Sequence, residues 1–124
     1  MSKIERLEDL NVWQEACLLG KWIYKLADTL PNCENYNLKK HLKENGRGCP
    51  ANVGEGFYRY FKKERLHFFD IAKGNLGEMK SDIYFCYNVG YIKEELRIKY
   101  IKQIDKVEAM LNGLISSVSK NTKI

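Results

Sequence analysis

Two prolines, two histidines and no Cys-x-x-Cys pair occur in 124 residues. No apolar run approaches the ~18 residues that a membrane span requires. Each shortage excludes something. With only Pro31 and Pro50, long uninterrupted helices are allowed. With His41 and His67 beside Cys17, Cys33, Cys49 and Cys86, no zinc-ligand spacing can be assembled. The single Glu-x-x-His, "ERLH" at 64–67, falls short of the repeated pairs a di-iron bundle needs. "GEG" at 54–56 has no preceding strand and no P-loop lysine, so it is not a phosphate loop. No Ser/His/Asp or Cys/His constellation is visible, and neither a catalytic site nor a cofactor is expected. The opening "MSKIERLEDLN" is charged, with no apolar signal region, so the expected location is cytoplasmic. There the four cysteines are read as reduced, two or three of them buried.

What is present is a helical rhythm. Apolar residues make up 44% of the chain and charged residues 30%, enough of each for one folded domain with a wet surface. Steps of three and four link Leu10, Trp13, Cys17, Gly20, Ile23, Ala27 and Leu30. The same steps recur through Leu42, Cys49, Val53 and Tyr60, then Phe69, Leu76, Met79 and Ile83, then Leu96, Ile104, Leu111 and Val118. The spacing predicts helices over about 10–30, 37–61, 63–89 and 93–118. Pro31 closes the first and Gly90 the third. No period-two alternation competes. The expected fold is all-α: an antiparallel up-down-up-down four-helix bundle. Its second helix is kinked or broken near Pro50, where Gly46 leaves the proline ring room.

Charge is uneven. Residues 36–65 carry 8 basic and 3 acidic side chains, net +5, whereas residues 1–35 carry 4 and 6, net −2. A positive segment attracts nucleic acid, an anionic membrane or an acidic protein alike, or is simply a solvated face. "FYRYFKKER" at 57–65 narrows the choice by setting aromatic rings between cations, the mixture that single-stranded nucleic acid uses. The competing reading places Phe57, Tyr60 and Phe61 in the core or in a subunit contact. The candidate nucleic-acid residues are Lys39, Lys40, Lys43, Arg47, Arg59, Lys62, Lys63 and Arg65, helped by Lys99, Lys102 and Lys106. Asn52, Glu55 and Glu78 lie beside apolar stripes, where unpaired burial is costly. Asn52 and Glu55 are expected to be hydrogen-bonded across a helix or subunit contact, with Arg59 or Lys80 as ionic partners, and Glu78 to make a salt bridge or a buried hydrogen bond.

The stretches "DLNVWQEACLLGKWIYKLADTLP" and "CPANVGEGFYRYFKKERLHFFDIAKGNLGEM" resemble the four-helix bundle proteins encoded within intervening sequences of bacterial 23S ribosomal RNA genes. The likeness runs over roughly residues 9–92. Asn52, Glu55, Gly56, Arg59, Glu64, Gly74 and Glu78 match the family pattern. The resemblance implies an antiparallel bundle assembling as a homopentamer with a basic surface around its axis, for which nucleic-acid binding is the usual inference. The accessory variability protein of diversity-generating retroelements is similar in fold and implies an alternative, a scaffold that docks a reverse transcriptase. Phe61 stands where the family has a Ser or Thr cap, and Arg65 where it has an aromatic residue. The chain is therefore expected to be a non-catalytic homo-oligomer that binds RNA or DNA through residues 39–65, with no membrane partner.

Overall fold

The structure, a computed structural model, describes residues 4–121. Four helices account for nearly all of it: α1 Asn11–Asp28, α2 Leu38–Phe57, α3 Lys62–Asn88 and α4 Glu94–Asn121. Short 3-10 turns at Leu7–Asp9 and Asn32–Glu34 precede α1 and α2. No strand occurs among the described residues.

Cross-helix pairs set the directions. Asp28 near the end of α1 meets Lys43 early in α2 at 2.7 Å. Asn52 of α2 meets Asn75 of α3 at 3.0 Å, while Asn45, earlier in α2, also bonds Asn75. Lys80 of α3 bonds Asp105 of α4, and Lys62 at the start of α3 bonds the Ser119 carbonyl near the end of α4. Tyr100 of α4 donates to the Trp22 carbonyl of α1 at 2.7 Å, and Gln103 to Glu15 at 3.0 Å, closing the ring of helices. This is the expected up-down-up-down bundle. Its core is the predicted stripes turned inward, with Leu19, Ile23, Leu42, Phe69, Leu76, Met79, Ile83, Ile104 and Leu111 fully buried. Each such side chain contributes roughly 1.5–3 kcal/mol of transfer free energy.

Helix ends follow local chemistry. Thr29 closes α1 by bonding the Leu26 carbonyl through Oγ1 at 2.7 Å, two residues before Pro31. Gly90, at φ +85°, ends α3 as the left-handed residue, with Tyr91 N–H returning to Cys86 O and Gly90 N–H to Tyr87 O. Helix α4 runs past the expected residue 118 to Asn121, because buried Val118 and the Lys62 bond anchor its last turn. The rest of the expected frayed tail, residues 122–124, lies outside the described residues.

Helix α2 corrects two expectations. It is continuous through Pro50, so the alternative of a break there does not hold. It also ends at Phe57 rather than at residue 61. Gly54 and Gly56 weaken the last turn by about 1 kcal/mol each relative to alanine. Gly56 is then held against the Phe69 ring, where a Cβ would lie 2.5 Å from Phe69 Cε1. The chain turns there so that α3 can pack back, and Arg65 Nε secures the turn by donating to the Arg59 carbonyl at 2.6 Å. Tyr60 keeps the helical phase of the stripe but sits in the connection, 81% exposed. Phe61 is the N-cap of α3 and makes no side-chain cap bond, as its replacement of Ser or Thr led us to expect.

The middle of α2 meets its neighbours in two different ways. Towards α1, the Gly46 carbonyl lies 2.6 Å from where a Cβ on Gly20 would stand, so two backbones touch. Towards α3, amides form a chain. Asn52 donates to Gly48 O and to Asn75 Oδ1, Asn75 donates to Asn45 Oδ1 at 2.9 Å, and Asn45 donates to His41 O. Asn52 thus has the cross-helix partner expected of it. Glu55 bonds Arg59 at 2.9 Å, one of its two expected partners, but the pair is exposed rather than interior.

Gly20→Ala is expected to lower stability by about 1–3 kcal/mol, since the atom it meets is backbone and cannot swing away. Gly77, with nothing within 4 Å of a Cβ, provides the contrast: Gly77→Ala should raise stability by roughly 0.5–1 kcal/mol. Urea denaturation of the two variants checks the opposite signs. Asn75→Leu should cost about 2–3 kcal/mol in the same assay, because it strands the Asn45 Oδ1 acceptor and an Asn52 Nδ2 donor.

Candidate nucleic-acid interface

The sequence places eight basic residues in one segment, and the fold divides them into two groups. Lys39, Lys40, Lys43 and Arg47 fall on successive turns of α2 and line a groove of about 600 Å³ with Tyr24, Asn35, Tyr36 and Glu44. The groove continues along the α1/α2 seam into a stretch of about 520 Å³ lined by Cys17, Gly20, Lys21, Tyr24, Lys25, Asp28, Gly46, Arg47 and Pro50. A third stretch of about 480 Å³ carries it on past Trp13, Ala51 and Gly54 to Tyr58. Arg47 lines all three.

The first two stretches present six basic side chains (Lys21, Lys25, Lys39, Lys40, Lys43 and Arg47) against two carboxylates, Asp28 and Glu44, a net +4. Lys43 is shared. It bonds Asp28 at 2.7 Å, and its Nζ lies 5.2 Å from the Tyr24 ring centroid. That bond, with the nearby Lys39 charge, holds the Asp28 carboxyl below its usual range. An exposed pair of this kind contributes only ~0–1 kcal/mol, so an incoming anion can compete for Lys43. Lys39, Lys40 and Arg47 make no ion pair among the described residues.

Arg59, Lys62, Lys63 and Arg65 lie at the far end of the bundle. Arg47 and Arg59 are twelve residues apart, ~18 Å if helical throughout. The distal group is also more committed. Arg59 pairs with Glu55 and stands 4.9 Å over the Phe68 ring, and Lys62 is bonded to Ser119 O. Arg65 bonds Arg59 O, and partial burial lowers its pKa. Lys63 is exposed. Lys39, Lys40, Lys43 and Arg47 thus line the groove, whereas Arg59 and Arg65 line a separate cavity of about 350 Å³ that meets it at Tyr58. Phe57, expected to contribute to a subunit contact, belongs to this chain's own core at 7% exposure, whereas Phe61 is 62% exposed.

The α4 lysines occupy the other flank of α1. Lys99 stands 4.5 Å over the Trp22 ring, Lys106 pairs with Glu15 at 3.1 Å, and Lys102 is exposed. Glu78 corrects an expectation: it is exposed on α3, and among the described residues it makes neither an ion pair nor a buried hydrogen bond. Its charge adds to burial, the larger cause, in raising the Asp82 carboxyl pKa. Cys49 and Cys86 are buried, which pushes their thiols up to about 12 and about 11. All four cysteines are free. Among the described residues no group of three His, Cys, Asp or Glu side chains could hold a metal ion, and no helix is long and apolar enough to cross a membrane.

Sequence reasoning missed Lys21, Lys25, Tyr24 and Tyr36. The net −2 of residues 1–35 hides two lysines four residues apart on one face of α1. Helical phase is the signal that finds them, since i and i+4 share a face.

The family model for the 23S rRNA-intervening sequence protein matches residues 8–113. No curated protein matches the chain. The fold is similar to a crystal structure from Bacteroides thetaiotaomicron, of a protein with unknown function from the S23 ribosomal protein family. The two agree with a TM-score of 0.79 at 17% identity, over 85% of this chain and 95% of that one. Identity so low speaks for the fold alone. The family match, in contrast, spans most of the sequence, from the turn before α1 well into α4, and the chain belongs to the family of 23S rRNA-intervening sequence proteins.

Proposed function

We propose that this protein is a non-catalytic, self-associating bundle of the cytoplasm that binds nucleic acid, RNA or DNA, in the α1/α2 groove. One observation carries the reading: six cations line two adjoining stretches of groove against two carboxylates. Phosphates neutralise such a field, and release of their counterions supplies the affinity. Nothing in the groove is arranged for proton transfer or nucleophilic attack. Its cations are lysines and an arginine, and its one thiol, on Cys17, is pushed up by burial rather than activated.

Self-association has support of its own. Tyr60 and Phe61 are 81% and 62% exposed at the distal end, and a neighbouring copy would cover them. A closed ring such as the pentamer implied by the resemblance would bring several grooves together and strengthen the field. A second reading, a scaffold that docks a protein such as a reverse transcriptase, draws on a different surface. Phe85 and Val89, near the end of α3, are 52% and 46% exposed.

Gel retention of a mixed-sequence RNA across a salt series tests the first reading. Lys39→Ala/Lys40→Ala/Arg47→Ala should weaken binding at every salt concentration and reduce the log–log salt slope by about 2, at ~0.7–0.9 per lost contact. Lys63→Ala should change it by less than half of that. Retention unaffected by the triple substitution would remove the groove from consideration. Light scattering of Phe61→Ser tests assembly: the expected result is a smaller particle, and an unchanged mass would place the subunit contact elsewhere. Phe57→Ser is unsuitable for that purpose, since opening the core there costs about 3 kcal/mol or more.

A further inference from the structure

We infer that the α1/α2 seam is a single-strand site: unpaired bases stack on Tyr36, Tyr24 and Tyr58 while the strand's phosphates follow the cations beside them. The inference rests on the nucleic-acid reading and names the form of nucleic acid that this groove accepts.

Four observations carry it. Tyr36 and Tyr24 stand in the same stretch of groove as Lys39, Lys40, Lys43 and Arg47, so rings and cations line one groove. The rings are open, with Tyr36 87% exposed, Tyr58 69% and Tyr24 40%. Tyr24 has Lys43 Nζ on its ring, which leaves a cation beside any base that covers the rest of it. Between the terminal tyrosines the floor is low. Gly20, Gly46 and Pro50 line its middle, and Ala51 and Gly54 continue it to Tyr58, past Glu55, whose carboxylate is already paired with Arg59. A flexible backbone can lie along such a floor.

The geometry separates single strands from duplexes. In a duplex the base faces are stacked inside and only phosphates, sugars and base edges reach the protein, so the tyrosines add nothing. An unpaired strand offers both phosphates and π-faces, and stacking on aromatic side chains tolerates any sequence. The seam also sets a length. Helix α2 has 20 residues and spans ~30 Å, which corresponds to ~9 nucleotides at the 3.4 Å stacking distance and fewer when the strand is extended. A four-nucleotide strand cannot reach from Tyr36 to Tyr58.

Fluorescence anisotropy with labelled RNA strands of 4 and 12 nucleotides and a 12-base-pair duplex, at one low salt concentration, tests the inference. The expected order places the 12-mer single strand at least ~10-fold tighter than the 4-mer and tighter than the duplex, despite the duplex's greater charge. Tyr36→Ala/Tyr58→Ala should lose about 10-fold or more on the single strand and less than 2-fold on the duplex. Tyr36→Phe/Tyr58→Phe should retain the wild-type preference, since a phenyl face stacks and neither hydroxyl is needed. Duplex binding as tight as single-strand binding overturns the inference, as does an alanine pair that weakens both forms equally. In either case phosphate binding by the groove still stands. Failure of all three probes to bind overturns the nucleic-acid reading as well.

Discussion

Pro50 has no amide hydrogen to give the Gly46 carbonyl one turn before it, and that oxygen lies against Gly20 of the neighbouring helix. Because neither residue at this crossing has a side chain, α1 and α2 approach until backbone meets backbone. Ile23 then packs over Gly46, with its Cγ2 only 2.9 Å from where a Cβ would be. The consequences extend along the whole seam. A close crossing keeps the floor low, and the lysines of α1 and α2 stand on either side of it. A larger residue at either glycine would part the helices and separate Lys21 and Lys25 from Arg47.

The opposite side of α2 is organised by polar contacts. The amide chain through Asn45, Asn52 and Asn75 pairs each amide donor it uses with an acceptor, so the interior of the α2/α3 contact is polar without an unpaired charge. Directional bonds also fix register in a way that interchangeable aliphatic contacts do not. With register fixed, Gly56 meets Phe69, the chain turns after Phe57, and three aromatic residues are left in the connection. Tyr58 joins the seam, while Tyr60 and Phe61 remain at the end of the bundle. The same turn sets Arg59 and Arg65 in a cavity of their own beyond Tyr58.

Electrostatics along the bundle follows from which carboxylates the fold brings near which cations. Glu55 reaches Arg59, Glu15 reaches Lys106 and Asp105 reaches Lys80, so these cations arrive already paired. Along the α1/α2 groove, Asp28 is bound to Lys43 and Glu55 to Arg59, and among the described residues Lys39, Lys40 and Arg47 make no ion pair and keep their field. Long-range attraction of a polyanion depends on the charge left over rather than on the number of basic residues.

Much of this was legible in the sequence. Apolar steps of three and four defined four helices within a few residues, since a helix that must bury one face can place those residues nowhere else. Gly90 marked the end of α3 by its backbone freedom, and Phe61 marked an uncapped start. The candidate site was only half legible. Composition along the chain showed a basic segment, but distance along a chain is not distance in space. The end of α2 depended on Phe69, thirteen residues beyond Gly56, and no local pattern announces that contact. Lys21, Lys25 and Tyr24 joined the α2 lysines because Gly20 and Gly46 let two helices touch. The sequence determined which residues could face water; the packing of α1 on α2 decided which of them face the same groove.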